Sequence, residues 1–131
     1  MRFRLLVLLF LMLSAAALAA CSASPAAEAA PASANISISL TTNPSPPKAG
    51  NVELLFKVLN RNGQPLSNAD LDVIADHIDM KGMTMHGKAV EQGNGVYTIT
   101  ANFSMSGNWK LSVQVKKDDL DEKLDIPLKV E

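Results

Sequence analysis

Hydrophobic and polar residues alternate with a period of two through most of the chain beyond residue 35. Ile36, Ile38 and Leu40 take turns with Ser37, Ser39 and Thr41, the pattern of a strand with one buried face. Pro44, Pro46, Pro47 and Gly50 end that run. Val52, Leu54, Phe56 and Val58 then form the inner face of a second strand, and Leu55 and Leu59 predict partial cover on its other side. Asn60-Arg61-Asn62-Gly63-Gln64-Pro65 predicts a turn, because Asn-Gly supplies the positive φ angles that tight turns require. A third strand is predicted from Asp70 to His77, where Leu71, Val73 and Ala75 alternate with Asp70, Asp72 and Asp76. A short strand around Lys88 to Glu91, a turn at Gly93-Asn94-Gly95 and a strand from Val96 to Phe103 read as a hairpin. Trp109, Leu111, Val113 and Val115 line the next inner face, Asp118 to Glu122 predicts a charged turn, and Leu124, Ile126, Leu128 and Val130 close the series.

This stretch has no window of helical periodicity and no internal repeat. About seven strands with turns at these intervals predict an all-β fold, an immunoglobulin-like Greek-key β-sandwich over residues 35–131. The chain has one cysteine, Cys21, which precedes this domain. The sandwich is therefore held by its core and not by an inter-sheet disulfide.

The first twenty residues are an address and not part of the fold. Arg2 and Arg4 precede an apolar run from Leu5 to Leu13, followed by small residues up to Ala20, the order of features in an export signal. The run is shorter than the roughly 20 apolar residues of a spanning helix. Leu18-Ala19-Ala20-Cys21 resembles the bacterial lipobox, which implies cleavage before Cys21 and acylation of its thiol. Two or more acyl chains give stable membrane attachment, so the domain is expected outside the cytoplasm, lipid-anchored to the cell membrane or an outer membrane. Ser22 lacks the Asp of an inner-membrane retention signal. Residues 21–34, the lipidated Cys followed by Ala, Ser, Pro and one Glu, have the composition of a tether without the bulky apolar residues that offset ordering entropy. The full chain carries 12 basic and 13 acidic residues, and loss of Arg2 and Arg4 enlarges the acidic excess by two. A nucleic-acid partner, which calls for a basic face, is not expected.

The candidate chemistry lies between His77 and His86, in the sequence His-Ile-Asp-Met-Lys-Gly-Met-Thr-Met-His. This segment holds both histidines of the chain and three of the four methionines that lie beyond the signal, with Met105 the fourth. Thioether sulfur and neutral imidazole suit Cu(I), whereas carboxylates and carbonyls suit harder ions. Met80, Met83 and Met85 are the candidate ligands, with His77 and His86 as supplements and Met105 as a possible neighbour. In an extended segment Met83 and Met85 share one side and His86 points away. Bending at Gly82 and Gly87 is expected to let the methionines and one histidine converge, with Asp79 and Lys81 left in solvent. The competing role for a methionine is to fill gaps in a core. Alternation with Phe103 applies that role most directly to Met105. Three methionines and two histidines within ten residues, bounded by charges and glycines, exceed what packing explains.

The Met-rich segment after the third strand, then Gly95-Val96-Tyr97, then Met105-Ser106-Gly107-Asn108-Trp109 leading into an apolar strand, resembles the YtkA-like and FixH-like family of small extracytoplasmic domains. The resemblance covers roughly Ile36 to Val115. It implies an immunoglobulin-like fold related in architecture to periplasmic copper-resistance proteins, and a link to copper handling or cytochrome oxidase assembly. FixH-like members carry a transmembrane anchor where this chain has a lipobox. The paired His-rich N-terminus of the typical copper-resistance protein is also missing.

No nucleophile elbow, phosphate-binding glycine loop or His-Glu-x-x-His pattern occurs, and Glu91, Asp118, Asp119 and Asp121 read as solvated turn and strand residues. The sequence thus predicts a non-enzymatic, copper-binding protein, a Cu(I) chaperone or homeostasis factor, with a copper-receiving protein such as an oxidase or assembly factor as partner. The rival expectation is a non-metal interaction module or accessory subunit of a membrane respiratory or transport complex, using the Met-rich segment as an adaptable apolar surface.

Overall fold

The computed structural model describes residues 31–33 and 35–131. The signal, Cys21 and most of the tether lie outside the described residues. Seven strands follow one another, β1 (Ile36–Asn43), β2 (Gly50–Asn60), β3 (Asp70–His77), β4 (Thr84–Gly93), β5 (Val96–Phe103), β6 (Gly107–Lys117) and β7 (Leu120–Val130). All pairings are antiparallel, and the order is β1-β2-β5-β4-β3-β6-β7. No helix occurs among the described residues.

The fourth strand makes the sandwich. From Thr84 to Ala89 it pairs with β3, and from Val90 onward it pairs with β5. It passes from the layer of β3, β6 and β7 to the layer of β1, β2 and β5. This is the Greek-key arrangement of an immunoglobulin-like sandwich with a sheet-switching strand. The far edges are laced together as well. Asn35 Nδ2 donates to Glu122 Oε1 at 2.5 Å, and Glu131 exchanges backbone hydrogen bonds of 2.8 Å with Pro47 and Ala49, so the sheet is nearly closed.

The inward faces follow the alternation. Val52, Leu54, Phe56 and Val58 of β2 are fully buried against Trp109, Leu111, Val113 and Val115 of β6, and Leu124, Ile126, Leu128 and Val130 of β7 complete the layer. The Tyr97 ring is buried in β5, and its hydroxyl donates to the Leu66 carbonyl (2.8 Å) and accepts from the Ala69 N–H (3.1 Å). It pins the long β2–β3 connection to the core.

Three boundaries differ from the sequence expectation. Strand β4 starts at Thr84 and not near Lys88, because its inward positions are Met85, Gly87 and Ala89. Two of these are too small to register as a hydrophobic period. Strand β7 starts at Leu120, since Asp118 in a left-handed conformation (φ 51°) turns the chain within two residues. Strand β6 starts at Gly107, two residues before Trp109, where the apolar alternation begins.

The register also sorts the connections into two ends. Ile36, the Asn60–Asp70 connection, the Gly93–Val96 turn and the Lys117–Leu120 turn share one end, where the chain enters the domain. The Asn43–Gly50, His77–Thr84 and Phe103–Gly107 connections share the other.

Candidate soft-metal end

The His77–Thr84 turn is built by backbone and side-chain bonds to a neighbour distant in sequence. His77 N–H donates to the Met83 carbonyl at 3.0 Å and closes the turn. Gly82 supplies a left-handed residue (φ 85°) that a side chain would strain. Ile78 N–H donates to the Asn108 carbonyl at 2.8 Å. The Asp79 carboxylate accepts both Asn108 N–H and Asn108 Nδ2–H at 3.2 Å. Thr84 Oγ1 donates to Asp76 Oδ1 at 2.6 Å across the base of the turn. The Met-rich segment is thereby clamped onto residues 104–108, which carry the fourth methionine.

Four of the six candidate ligands lie inward at this end. His77 is buried, with 7% exposure, and its ring meets the edge of Trp109 at a centroid separation of 4.8 Å. Its Nε2 lies 3.3 Å from the Ser106 carbonyl, while Nδ1 is buried with no hydrogen-bond partner among the described residues. Met83 and Met105 are half-buried and pack on the core. Ser104 Oγ donates to Met83 Sδ at 3.5 Å, and Trp109 Nε1 donates to the Met105 carbonyl at 3.3 Å. Met85 also packs inward, one wall of a cavity of about 190 Å³ that opens where β4 and β5 diverge between Leu54, Val73, Ile99 and Ala101.

The other two face outward. Met80 stands at the turn with 47% exposure, beside Ile78 at 60%. His86 lies on the outer face of β4 opposite Ile74, 3.9 Å from the Asp72 carboxylate. The expected bend at Gly87 is absent, and the strand runs straight through it. Gly87 instead makes room for Ile99, whose Cδ1 would stand 2.7 Å from a Cβ at that position. Strand alternation therefore keeps His86 away from Met85. Asp79 and Lys81 are exposed as expected, although Asp79 also has the clamping role described above.

Composition did not reveal Gly107 or the Ser106 carbonyl as parts of this site. Gly107 has φ 135°, and a Cβ there would come within 2.6 Å of His77 Nε2. The signals in the sequence were a glycine two residues before Trp109 and its place in the Met105–Trp109 motif. Among the described residues no three His, Cys, Asp or Glu side chains gather into a group that could hold a metal ion. The donors this end offers are thioethers and one buried imidazole with a bare nitrogen, a set that fits a soft monovalent cation better than a hard divalent one.

The model of the YtkA-like family matches residues 31–114, a span that contains both the His77–Thr84 turn and the Met105–Trp109 segment. No curated protein matches the chain. No solved structure matches it either.

Proposed function

The chain belongs to the YtkA-like family, and from that premise we propose that it is a non-enzymatic protein that holds or passes Cu(I) outside the cytoplasm, anchored to a membrane by lipid on Cys21. One observation carries the reading: the fold brings Met105 and its neighbours onto the turn that holds His77 and Met83, so soft donors from two separate segments share one end of the sandwich. Copper, when bound, supplies a soft acceptor for these lone pairs. Met83, Met85, Met105 and His77, which lie inward, form the inner part of the donor set. Met80, out at the turn, is placed to meet an incoming or outgoing ion. His86 is a separate outward imidazole. The partner that follows from this role is a copper-receiving protein such as an oxidase or assembly factor.

The test is competition of the purified protein against a Cu(I)-specific chelator at neutral pH. Replacing Met80, Met83 and Met85 together with Leu preserves most apolar volume, a class of swap that costs under about 1.5 kcal/mol per site, but removes three thioethers. The triple variant is expected to stay folded and to surrender Cu(I) to the chelator. Equal retention by wild type and variant would end the methionine reading. His77→Ala and His86→Ala, run alongside, separate the inner imidazole from the outer one.

A second reading has its own support. Ile78 and Met80 are among the few large apolar side chains exposed in the described residues, and their position together on one turn favours contact with a partner protein. In that case the triple variant, still apolar at all three positions, would keep partner binding, and wild type would retain no Cu(I).

A further inference from the structure

We infer that His77 binds the metal through Nδ1, not Nε2, and that Gly107 is the positioning residue that fixes this choice; the inference rests on the Cu(I) reading above. The side chain is buried, and its two nitrogens are treated unequally by their surroundings. Nε2 lies 3.3 Å from the carbonyl oxygen of Ser106. A carbonyl can only accept, so the contact requires the proton to sit on Nε2. Nδ1 is then a bare lone pair, and it is buried without any hydrogen-bond partner among the described residues. A buried acceptor left unsatisfied is costly, and the cost is relieved when a cation takes the lone pair.

The division of labour between the two nitrogens is the one a ligating imidazole requires. A metal-bound His donates its other N–H to a carboxylate or backbone carbonyl, which sets the tautomer and the ring orientation. Here that carbonyl belongs to Ser106, next to Met105, so the same short segment that brings a thioether also orients the imidazole. Trp109 meets the ring edge-on at 72°, the Ser106 carbonyl meets Nε2, and Gly107 leaves room on the Nε2 side. A Cβ at residue 107 would lie 2.6 Å from Nε2 and 3.0 Å from Cε1. Any side chain there must turn the ring off Ser106.

The inference is tested by long-range ¹H–¹⁵N correlation spectra of the full protein labelled at histidine, with His86 as the internal reference. Without metal, His77 is expected to show a protonated Nε2 and a bare Nδ1. One equivalent of Cu(I) under reducing, anaerobic conditions is expected to shift Nδ1 of His77 and leave Nε2 protonated. His77→Gln keeps an N–H placed to donate to Ser106 but lacks a nitrogen at the Nδ1 position, and it should lower Cu(I) affinity at least tenfold while the fold persists. Gly107→Ala should abolish the single tautomer. If that variant fails to fold, the wild-type spectra and His77→Gln still decide the matter. A protonated Nδ1 in the free protein, or Cu(I) binding that shifts Nε2 or only His86, overturns the inference and leaves Cu(I) binding intact. An absence of any Cu(I) retention overturns both.

Discussion

Trp109→Ala tests the core and the proposed metal end at once, because the indole belongs to both. The side chain is fully buried. It packs edge-on against Phe103 at 5.0 Å and against His77 at 4.8 Å, and it donates to the Met105 carbonyl. Truncating a buried Phe or Trp to Ala costs about 3–5 kcal/mol through lost transfer energy and the cavity left behind. Aromatic pairs of this geometry add about 0.5–1.5 kcal/mol each, and the freed Met105 carbonyl loses a bond worth about 1 kcal/mol. Since these contributions overlap, a loss of about 5 kcal/mol is expected, a large part of the roughly 5–15 kcal/mol that holds a domain together. With a urea slope of about 1–2 kcal/mol per molar for a chain of this size, the unfolding midpoint should fall by about 2.5–5 M. The variant has no tryptophan, so unfolding is followed by far-ultraviolet circular dichroism, where the wild type should also show β structure almost alone. Trp109→Phe is the control. It keeps much of the aromatic packing, loses the hydrogen bond, and should cost about 1–2.5 kcal/mol by the same scales while weakening Cu(I) retention through the released Met105 segment. A loss below about 1 kcal/mol for Trp109→Ala would place the indole outside the load of the core and refute the packing argument.

The remaining predictions concern backbone, pH and anchor. Gly95→Ala sets a Cβ 2.6 Å from the Val58 carbonyl oxygen and 2.9 Å from the Leu66 nitrogen at φ 70°, so it should destabilise by more than about 2 kcal/mol. Gly87→Ala presses only on the movable tip of Ile99 and should stay within about 1 kcal/mol of wild type; similar urea midpoints for the two variants would contradict the distinction. Burial raises the Tyr97 hydroxyl above its ordinary value of 10.0, the bond from the Ala69 N–H pulls it back, and the Glu91 charge raises it further. The folded state thus holds this proton more tightly than the unfolded chain, and the stability it contributes is intact below pH 10.0 and lost as pH climbs through the raised folded value. Tyr97→Phe should be less stable at neutral pH, for want of two hydrogen bonds, yet lose less on going alkaline; parallel pH curves for the two proteins would exclude Tyr97 as the source. Cys21→Ala should release the protein from membranes or leave its precursor uncleaved, and a mass spectrum showing an unmodified Cys21 in the mature wild type would rule out the lipid anchor.

How far the molecule was legible in its sequence depended on side-chain size. Strands β2, β6 and β7 carry Leu, Ile, Val or Phe at most inward positions, and a period of two in large apolar groups survives whatever the partner strand. Strand β4 carries Met85, Gly87 and Ala89 inward and leaves Val90 65% exposed, so its alternation is nearly silent until β3 is laid beside it. Which layer a strand joins is a property of its neighbours' backbones, and the switch at Val90 has no local code. The cluster of methionines and histidines was visible by type and spacing, and so was the divergence of His86 from Met85. The approach of Ser106 to His77 was not, because it depends on β3 and β6 pairing in a register that sets His77 opposite Trp109.

The separation of chain entry from the donor end gives the domain a polarity that bears on reach. Strands of eight to eleven residues span about 25–35 Å at 3.3 Å per residue. A surface that holds the chain upstream of Pro31 would therefore face the end opposite the methionines, about 25–35 Å from them. On the proposed copper role, an acceptor at headgroup level would meet the opposite end of the domain, whereas one that projects away from the surface would meet Met80 first.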